Sequence, residues 1–563
     1  MATMLILLAP LVLAGSAASA LPSPSRLMVE YLPEPAPMSG ELLTISTLRP
    51  RFSFVPHAQH EHPGSGVEMR AYRIVVRSVP PGRGGWDSGV VPASAAVGIT
   101  CGADLKSLTT YSWTAQWYAT GEQAPSPNAT GSFTVGPREA DWDAGSWWLG
   151  GGHTEFRFTF SAGAAEKLFV AAPGGAVVYA NGRPATDECG VSAWINYDAN
   201  LPYTGVDIAP FLRDTADAGP TQTVVIRVGS GFYSGSKWRQ HPTFDTTGGQ
   251  AMQHPAVRLL LVDGHGMPAV ATLSGRVGGI LSVDPFVGGI FDTTLSDEAG
   301  WEHTRAINDT KAAQLDGPLR AFTQPAAQTA PNAAAALRST VVTVSQLPPA
   351  PAPSRCATAC DPATTNSVNK TLCYGQPPEE GGCDPITTPQ RQCHYGFSRN
   401  IVGIVAIQPS AYKLKPGAKN GEITVQYCEV FNSTTYTKER SPSQPFPQWK
   451  PAGPLGTLCQ PLAELSVVAD TYLLGPTSAG TLRPSFTWHG FQHIIISVSD
   501  GVVFDPSPSS VRAEWTASNA EATGAISFGG GKDADMLNKI RGIAQAGQLS
   551  NMAAFVPTDC PTR

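Results

Sequence analysis

Three imidazoles fall within the short run His57-Ala58-Gln59-His60-Glu61-His62, and histidine nitrogens suit zinc or copper. The run lies between strand-like stretches and beside Pro63-Gly64-Ser65-Gly66, the composition of a solvated hairpin loop, so no metal site is expected there. Cys356, Cys360, Cys373, Cys383 and Cys393, with His394 alongside, invite a second metal reading. Their spacings fit no standard zinc finger, and disulfides of open connectivity are the expectation. Gly529-Gly530-Gly531-Lys532 ahead of a helical stretch looks like a phosphate loop but lacks the Ser or Thr that would follow, and reads as a flexible lead-in. Neither a Gly-x-Ser-x-Gly elbow nor a His-Glu-x-x-His pair occurs, so an α/β-hydrolase and a zincin have no support.

The remaining candidates are aromatic. Aromatic rings present broad amphipathic faces that can stack on a pyranose, and Trp147-Trp148, Trp194, Trp238 and Trp488 are candidates, Trp194 and Trp238 foremost. For each Trp the competing reading is a sandwich core or a domain seam. Near the end, Phe555-Val556-Pro557-Thr558-Asp559-Cys560-Pro561-Thr562-Arg563 carries Asp559 as its one carboxylate. Taken alone, Asp559 reads as a capping or turn carboxylate. No cofactor is expected.

These residues have to be positioned by β structure. At 563 residues the chain exceeds one core, and 57 Gly with 50 Pro point to many turns and short strands. A net charge of −6, with no basic stripe interleaved with aromatics, argues against nucleic acid as a partner. Residues 1–20 read as a signal peptide, an apolar run from Leu5 to Gly15 ending in Ala18-Ser19-Ala20. No later stretch is long and apolar enough to span a bilayer. Seven of the ten Cys lie between Cys356 and Cys459, and sequons occur at Asn128, Asn308, Asn369 and Asn432; both agree with secretion.

The expected architecture is mainly β and multi-domain. A first β-sandwich is expected over 21–137, with Tyr72, Ile74 and Val76 on one strand face and Tyr111, Trp113, Ala115 and Trp117 on another. A second is expected over 138–312. Its strands include Glu155–Phe160, Ala176–Ala180, Thr223–Val228 and Val257–Val262, with a tight turn at Asn181-Gly182. An Ala/Pro-rich linker (313–354) and a Cys-rich insert (355–393) precede a third sandwich at 394–515. Residues 516–563 begin a helical region, and Met536, Ile540 and Ile543 give Asp533–Met552 the spacing of a helix.

The order of several motifs resembles the bacterial-type α-L-rhamnosidases. Arg51-Phe52-Ser53-Phe54, Ala71-Tyr72-Arg73-Ile74 and Trp86-Asp87-Ser88-Gly89 are similar to the family's fibronectin-III-like leader. Tyr179-Ala180-Asn181-Gly182-Arg183, Asn196-Tyr197-Asp198 and Gly229-Ser230-Gly231-Phe232-Tyr233 resemble its N-terminal sandwich. Asn400-Ile401-Val402-Gly403, Asp470-Thr471-Tyr472, Phe486-Thr487-Trp488-His489-Gly490-Phe491 and the closing Asp559-Cys560-Pro561 follow in the same order. Gly396-Phe397-Ser398-Arg399 and Gln492 depart from the family's pattern.

The resemblance implies three sandwiches ahead of the first helix of an incomplete (α/α)6 barrel, and inverting hydrolysis of terminal α-L-rhamnosides. Inversion uses a protonated carboxylic acid and a second carboxylate about 6.5–9.5 Å away that activates water. It also implies that Asp559 holds the rhamnose, while acid and base are expected beyond Arg563. Rhamnose-containing glycans are the partner so implied. The alternative expectation is a secreted carbohydrate-binding or adhesion module without catalysis. A disulfide-stabilised structural surface protein is a third class, resting on the Cys insert alone.

Overall fold

The computed structural model describes residues 21–33, 40–56, 68–122, 124–145, 147–149, 153–188, 190, 201–212, 221–229, 257–269, 271–284, 288–294, 300–303, 319–321, 327–329, 337–338, 340–345, 391–428, 430–431, 436–439, 448–451, 459–460, 469–518 and 524–551. It is mainly β, as expected, and divides into a unit of residues 1–34 and 47–135 and a unit of residues 35–46 and 136–563.

In the smaller unit, Ala129–Val135, Thr109–Ala119, Met69–Val79 and Gly85–Asp87 lie side by side as antiparallel neighbours. A second sheet runs Leu32–Pro33, Ser25–Val29, Arg51–Val55, Ile99–Thr100. The strand Thr109–Ala119 alternates along its whole length, so Tyr111, Trp113, Ala115 and Trp117 are all buried on one face, as the sequence pattern required. Ile74 and Val76 are buried likewise, with Tyr72 half-buried. Phe52 packs on Trp113 with ring centroids 4.8 Å apart, and Tyr111 stacks on Phe133 at 5.6 Å. The polar tips of these rings are satisfied inside the fold. The Tyr111 hydroxyl accepts from the Lys106 N–H at 2.8 Å, and the Trp117 indole donates to the Pro22 carbonyl at 2.8 Å.

In the larger unit the second sandwich has two sheets. One runs Trp147–Leu149, Val257–Val262, Lys167–Ala171, Leu201–Asp207, Leu319–Ala321. The other runs Arg183–Pro184, Ala176–Ala180, Thr221–Val228, Glu155–Ser161, Thr272–Arg276, Glu302–His303. Phe156, Phe158, Phe160, Val178, Val224 and Ile226 from the second sheet meet Leu168, Leu259 and Leu261 from the first in one core. Asn181 (φ 48°) and Gly182 (φ 77°) link Ala180 to its partner Arg183 in the tight turn expected of Asn-Gly, whose positive φ at both positions matches strand twist.

The third module is built on a ten-stranded sheet. At its centre lie Ala469–Leu474, Gly421–Cys428, His489–Val498, Arg391–Ile407 and Val511–Ser518. Its boundaries differ from expectation in two places. The hairpin Ile280–Asp284/Gly288–Asp292, expected in the second module, joins this sheet by pairing Ile290 in parallel with Thr471. Within the stretch read as a linker, Ala327–Thr329, Leu337–Arg338 and Thr340–Ser345 pair with the same sheet, and Leu319–Ala321 with the second module. Backbone pairing at a sheet edge needs no apolar side chains, so an Ala/Thr/Gln composition hides it. The rest of the stretch, the signal-peptide region and the insert through residue 390 lie outside the described residues.

The helix Ala534–Ser550 forms where the spacing placed it. Ala546 packs on the third core, whereas Met536, Leu537, Ile540 and Ile543 are exposed. No helix among the described residues is long and apolar enough to cross a membrane.

Arg73 reaches across from Met69–Val79 to grip Asp87, its Nε donating to Oδ1 at 3.1 Å and its Nη2 to Oδ2 at 2.6 Å, while the Gly89 N–H adds a third donor at 2.9 Å. The guanidinium, and then the backbone donor, pull the Asp87 pKa from 3.8 down to about 2. A depressed carboxylate stabilises the fold above its unfolded value and loses that contribution as pH falls through the folded one. Asp87→Asn should therefore flatten the stability of the smaller unit between pH 3.8 and about 2. Because both side chains are more than two-fifths exposed, the difference should be under about 1 kcal/mol at neutral pH, as read by urea denaturation across that range.

Candidate functional site

The foremost residues named from sequence lie outside the described part of the chain: Asp559, Trp194, Trp238, and the histidines 57, 60 and 62. So do Cys356, Cys360, Cys373 and Cys383, while Cys393 is buried in the strand Arg391–Ile407. Trp147 and Trp148 form a short edge strand paired with Val257–Leu259, and Trp488 is half-buried just before the strand His489–Val498. Gly529–Lys532 is an exposed lead-in to the helix, as read. Cys101 is buried, and that burial raises its thiol pKa, the opposite of an activated nucleophile. Among the described residues, no group of three or more His, Cys, Asp or Glu could hold a metal.

The structure assembles two polar constellations in the larger unit that motif reading missed. The first surrounds Asp470, which is fully buried. The Tyr427 hydroxyl donates to its Oδ2 at 2.7 Å, the Gly289 N–H to its Oδ1 at 3.0 Å, and His489 Nε2 lies 3.2 Å from both oxygens. Tyr427 packs on His489 with the rings tilted and their centroids 4.1 Å apart, and burial followed by the neighbouring carboxylate drives its hydroxyl pKa upward, so it stays a donor. An Asp–His pair often signals proton transfer, but this one is sealed in the core, with His489 3% exposed and Asp470 fully buried. Its work is to bind the Gly288–Asp292 hairpin to the strand Ala469–Leu474. Gly288 (φ 119°) is required at that junction, because a Cβ there would lie 1.9 Å from the Ala469 carbonyl oxygen.

The second constellation runs along the outer face of the Glu155 sheet. Glu155 is in register with Arg227 on one neighbouring strand and with Arg276 on the other. Its carboxylate, 2% exposed, accepts from Arg227 Nε at 2.8 Å and Arg276 Nε at 2.6 Å. The Trp301 ring lies 4.4 Å from the guanidinium carbons of both Arg157 and Arg276. Arg227 lies 4.8 Å over the Tyr179 ring. Burial pushes the Tyr179 hydroxyl well above its usual pKa, so it remains protonated and donates to Glu188 at 2.9 Å. Glu188 accepts from Arg483 of the third module at 3.2 Å, and Arg483 in turn donates to Glu514 at 3.0 Å.

Chemically this ladder is a fixed alternation of charge, every carboxylate already engaged by a guanidinium. It has no free acid–base pair and so aligns modules rather than transferring protons. One signal was present in the sequence. Glu155 opens a strictly alternating strand on its non-core parity, and a carboxylate so placed beside long apolar strands calls for cationic partners. Replacing Glu155 by Gln leaves Arg276, only 5% exposed, without its counter-ion. That substitution should cost about 3–5 kcal/mol in urea denaturation, far more than neutralising an exposed pair such as Arg49–Asp104.

Residues 24–139 match the Rha78A-like, N-terminal immunoglobulin domain, the stretch expected to be fibronectin-III-like. Residues 163–328 match the alpha-L-rhamnosidase N-terminal domain. No curated protein matches the chain. Among solved structures, the fold is similar to an alpha-L-rhamnosidase from Dictyoglumus thermophilum (TM-score 0.64, 17% identity, 96% of this chain and 54% of that one). It is similar also to one from Aspergillus terreus (TM-score 0.63, 18% identity, 96% and 53%) and to one from Streptomyces avermitilis complexed with L-rhamnose (0.60, 16%, 96% and 61%). The chain thus spans between about half and three-fifths of the length of these proteins. On the two consecutive domain matches, the chain carries the N-terminal domains of the α-L-rhamnosidase family.

Proposed function

We propose that this chain belongs to the machinery of a secreted α-L-rhamnosidase-type glycoside hydrolase that removes terminal α-L-rhamnose from glycosides or polysaccharides with inversion. The observation that carries this is the succession of the two family domains along residues 24–139 and 163–328. The rhamnosidase-like fold over 96% of the chain supports it. In this reading the sandwiches are scaffold and Asp559 is the carboxylate that accepts hydrogen bonds from rhamnose hydroxyls. Inverting hydrolysis needs two further carboxyl groups about 6.5–9.5 Å apart, one protonated with a raised pKa and one ionised to activate water. Every carboxylate described above is instead tied to a guanidinium, a tyrosine or a histidine in the sandwiches. The family resemblance places the acid and base beyond Arg563, so these 563 residues by themselves are proposed to be without turnover.

Incubating the purified chain with an aryl α-L-rhamnoside should release no aglycone above the buffer rate; clear turnover would overturn the proposed inactivity. Calorimetric titration with rhamnose-containing polysaccharide should show binding, weakened about ten-fold or more by Asp559→Asn because a charged hydrogen-bond acceptor is lost. Binding that is unmoved by that change, yet lost in a Trp194→Ala/Trp238→Ala double variant, would favour the non-catalytic carbohydrate-binding reading.

Secretion carries its own test. Asn128 is exposed at the entrance to the strand Ala129–Val135, with Thr130 two residues on. Expressed with its leader in a eukaryotic host, the protein should reach the medium starting at Leu21. It should also show a mass shift on glycosidase treatment that Asn128→Gln reduces. Retention inside the cell with an intact leader would count against secretion.

A further inference from the structure

The third module sends an arm, Arg483-Pro484-Ser485-Phe486, onto the second. The arm is anchored at one end by Leu482, which exchanges both backbone hydrogen bonds with Ile407, and at the other by the strand beginning at His489. Phe486 sits at φ 66°, a left-handed conformation that a bulky residue adopts only where its surroundings hold it there. Its ring is nonetheless 1% exposed. The socket is made by residues with no side chain to spare. A Cβ on Gly229 would lie 2.3 Å from Phe486 Cγ, one on Gly190 2.6 Å from its Cε1, and one on Gly175 3.1 Å from its Cδ1. Two of those glycines are themselves at positive φ, Gly175 at 98° and Gly190 at 61°, and Gly229 N–H donates to the Gly175 carbonyl at 3.1 Å, closing the ring of backbone around the phenyl group.

Beside the socket, Glu188 receives the arm twice. Ser485 Oγ donates to its carbonyl at 2.7 Å and Arg483 Nη1 to its carboxylate at 3.2 Å. Val177, from the outer face of the Glu155 sheet, is counted into the third module's core, with Tyr179 packed against it. The seam is therefore an apolar plug ringed by charge-assisted hydrogen bonds, on a sheet whose other face already holds the second module's core.

We propose that the Arg483–Phe486 arm is a latch that makes the second and third sandwiches one cooperative rigid body, with Phe486 its positioning residue and Glu188 its catch. The helix Ala534–Ser550 rests on the third core through Ala546, so the latch also sets where that helix starts relative to the second sandwich. The latch stands independently of the glycosidase reading, since it concerns the body the modules form and not the reaction they serve.

The test is hydrogen exchange read by mass spectrometry on the full chain in rising urea, following peptides from Glu155–Ser161 and from His489–Val498. In the parent protein the two strands should lose protection at one shared midpoint. In Phe486→Ala the midpoints should separate by about 0.5 M urea or more. Gly229→Ala, which sets a methyl group against the ring, should separate them too. If Phe486→Ala does not fold, Arg483→Gln supplies the same reading, since it removes the arm's charged hold on the Glu188 catch and leaves the plug. Strands that lose protection independently in the parent protein, or that stay matched in all the folded variants, would overturn the latch.

Discussion

A carboxylate can be taken out of water only if other groups replace the hydration it gives up, and Glu155 meets that condition from both sides at once. Arg227 and Arg276 stand directly opposite it on the two flanking strands. The strand Glu155–Ser161 therefore has to be interior to its sheet, with Thr221–Val228 on one side and Thr272–Arg276 on the other. A one-residue register slip would move the charges to the core face and the phenylalanines outward. The adjacency of these three strands and the polarity of the outer face they share both follow from this triplet.

The outer face in turn explains how the larger unit is built. With Phe156, Phe158 and Phe160 committed to one core, the opposite parity gives Val177 and Tyr179 to the third module's core and sets the Glu155–Arg227 ion pair beside them. The result is a mixed seam, where guanidiniums and carboxylates alternate through Tyr179 and Glu188 to Arg483 and one aromatic plug fills the glycine-lined gap. A partly buried polar ladder adds little net stability compared with an apolar contact but tolerates few wrong alignments, which suits a junction that sets one module against another.

The Asp470 cluster follows the same logic at smaller scale. A buried carboxylate with donors from Tyr427, His489 and the Gly289 backbone holds a hairpin that belongs, by sequence position, next to the second module. Asp470, His489 and Phe486 were visible in the sequence as motif landmarks, but nothing in their spacing told that two of them clasp a hairpin and the third plugs a seam. Those contacts join residues about 180 and 300 positions apart, beyond the reach of any local pattern.

The sequence by itself determined the local elements. Alternation marked Tyr111–Trp117 and Glu155–Phe160, Asn181-Gly182 marked its turn, and 3.6-residue spacing marked the helix at 534–550, because each reports a periodicity carried by neighbouring side chains. It also carried the order of family landmarks. Only the tertiary structure decided which face of the Glu155 sheet is a core and which a seam, that Ile280–Asp292 joins the third sheet, and that part of an Ala/Pro-rich stretch pairs as strands. Those outcomes depend on backbone hydrogen bonds and charge neutralisation between distant segments, and neither leaves a period in the chain.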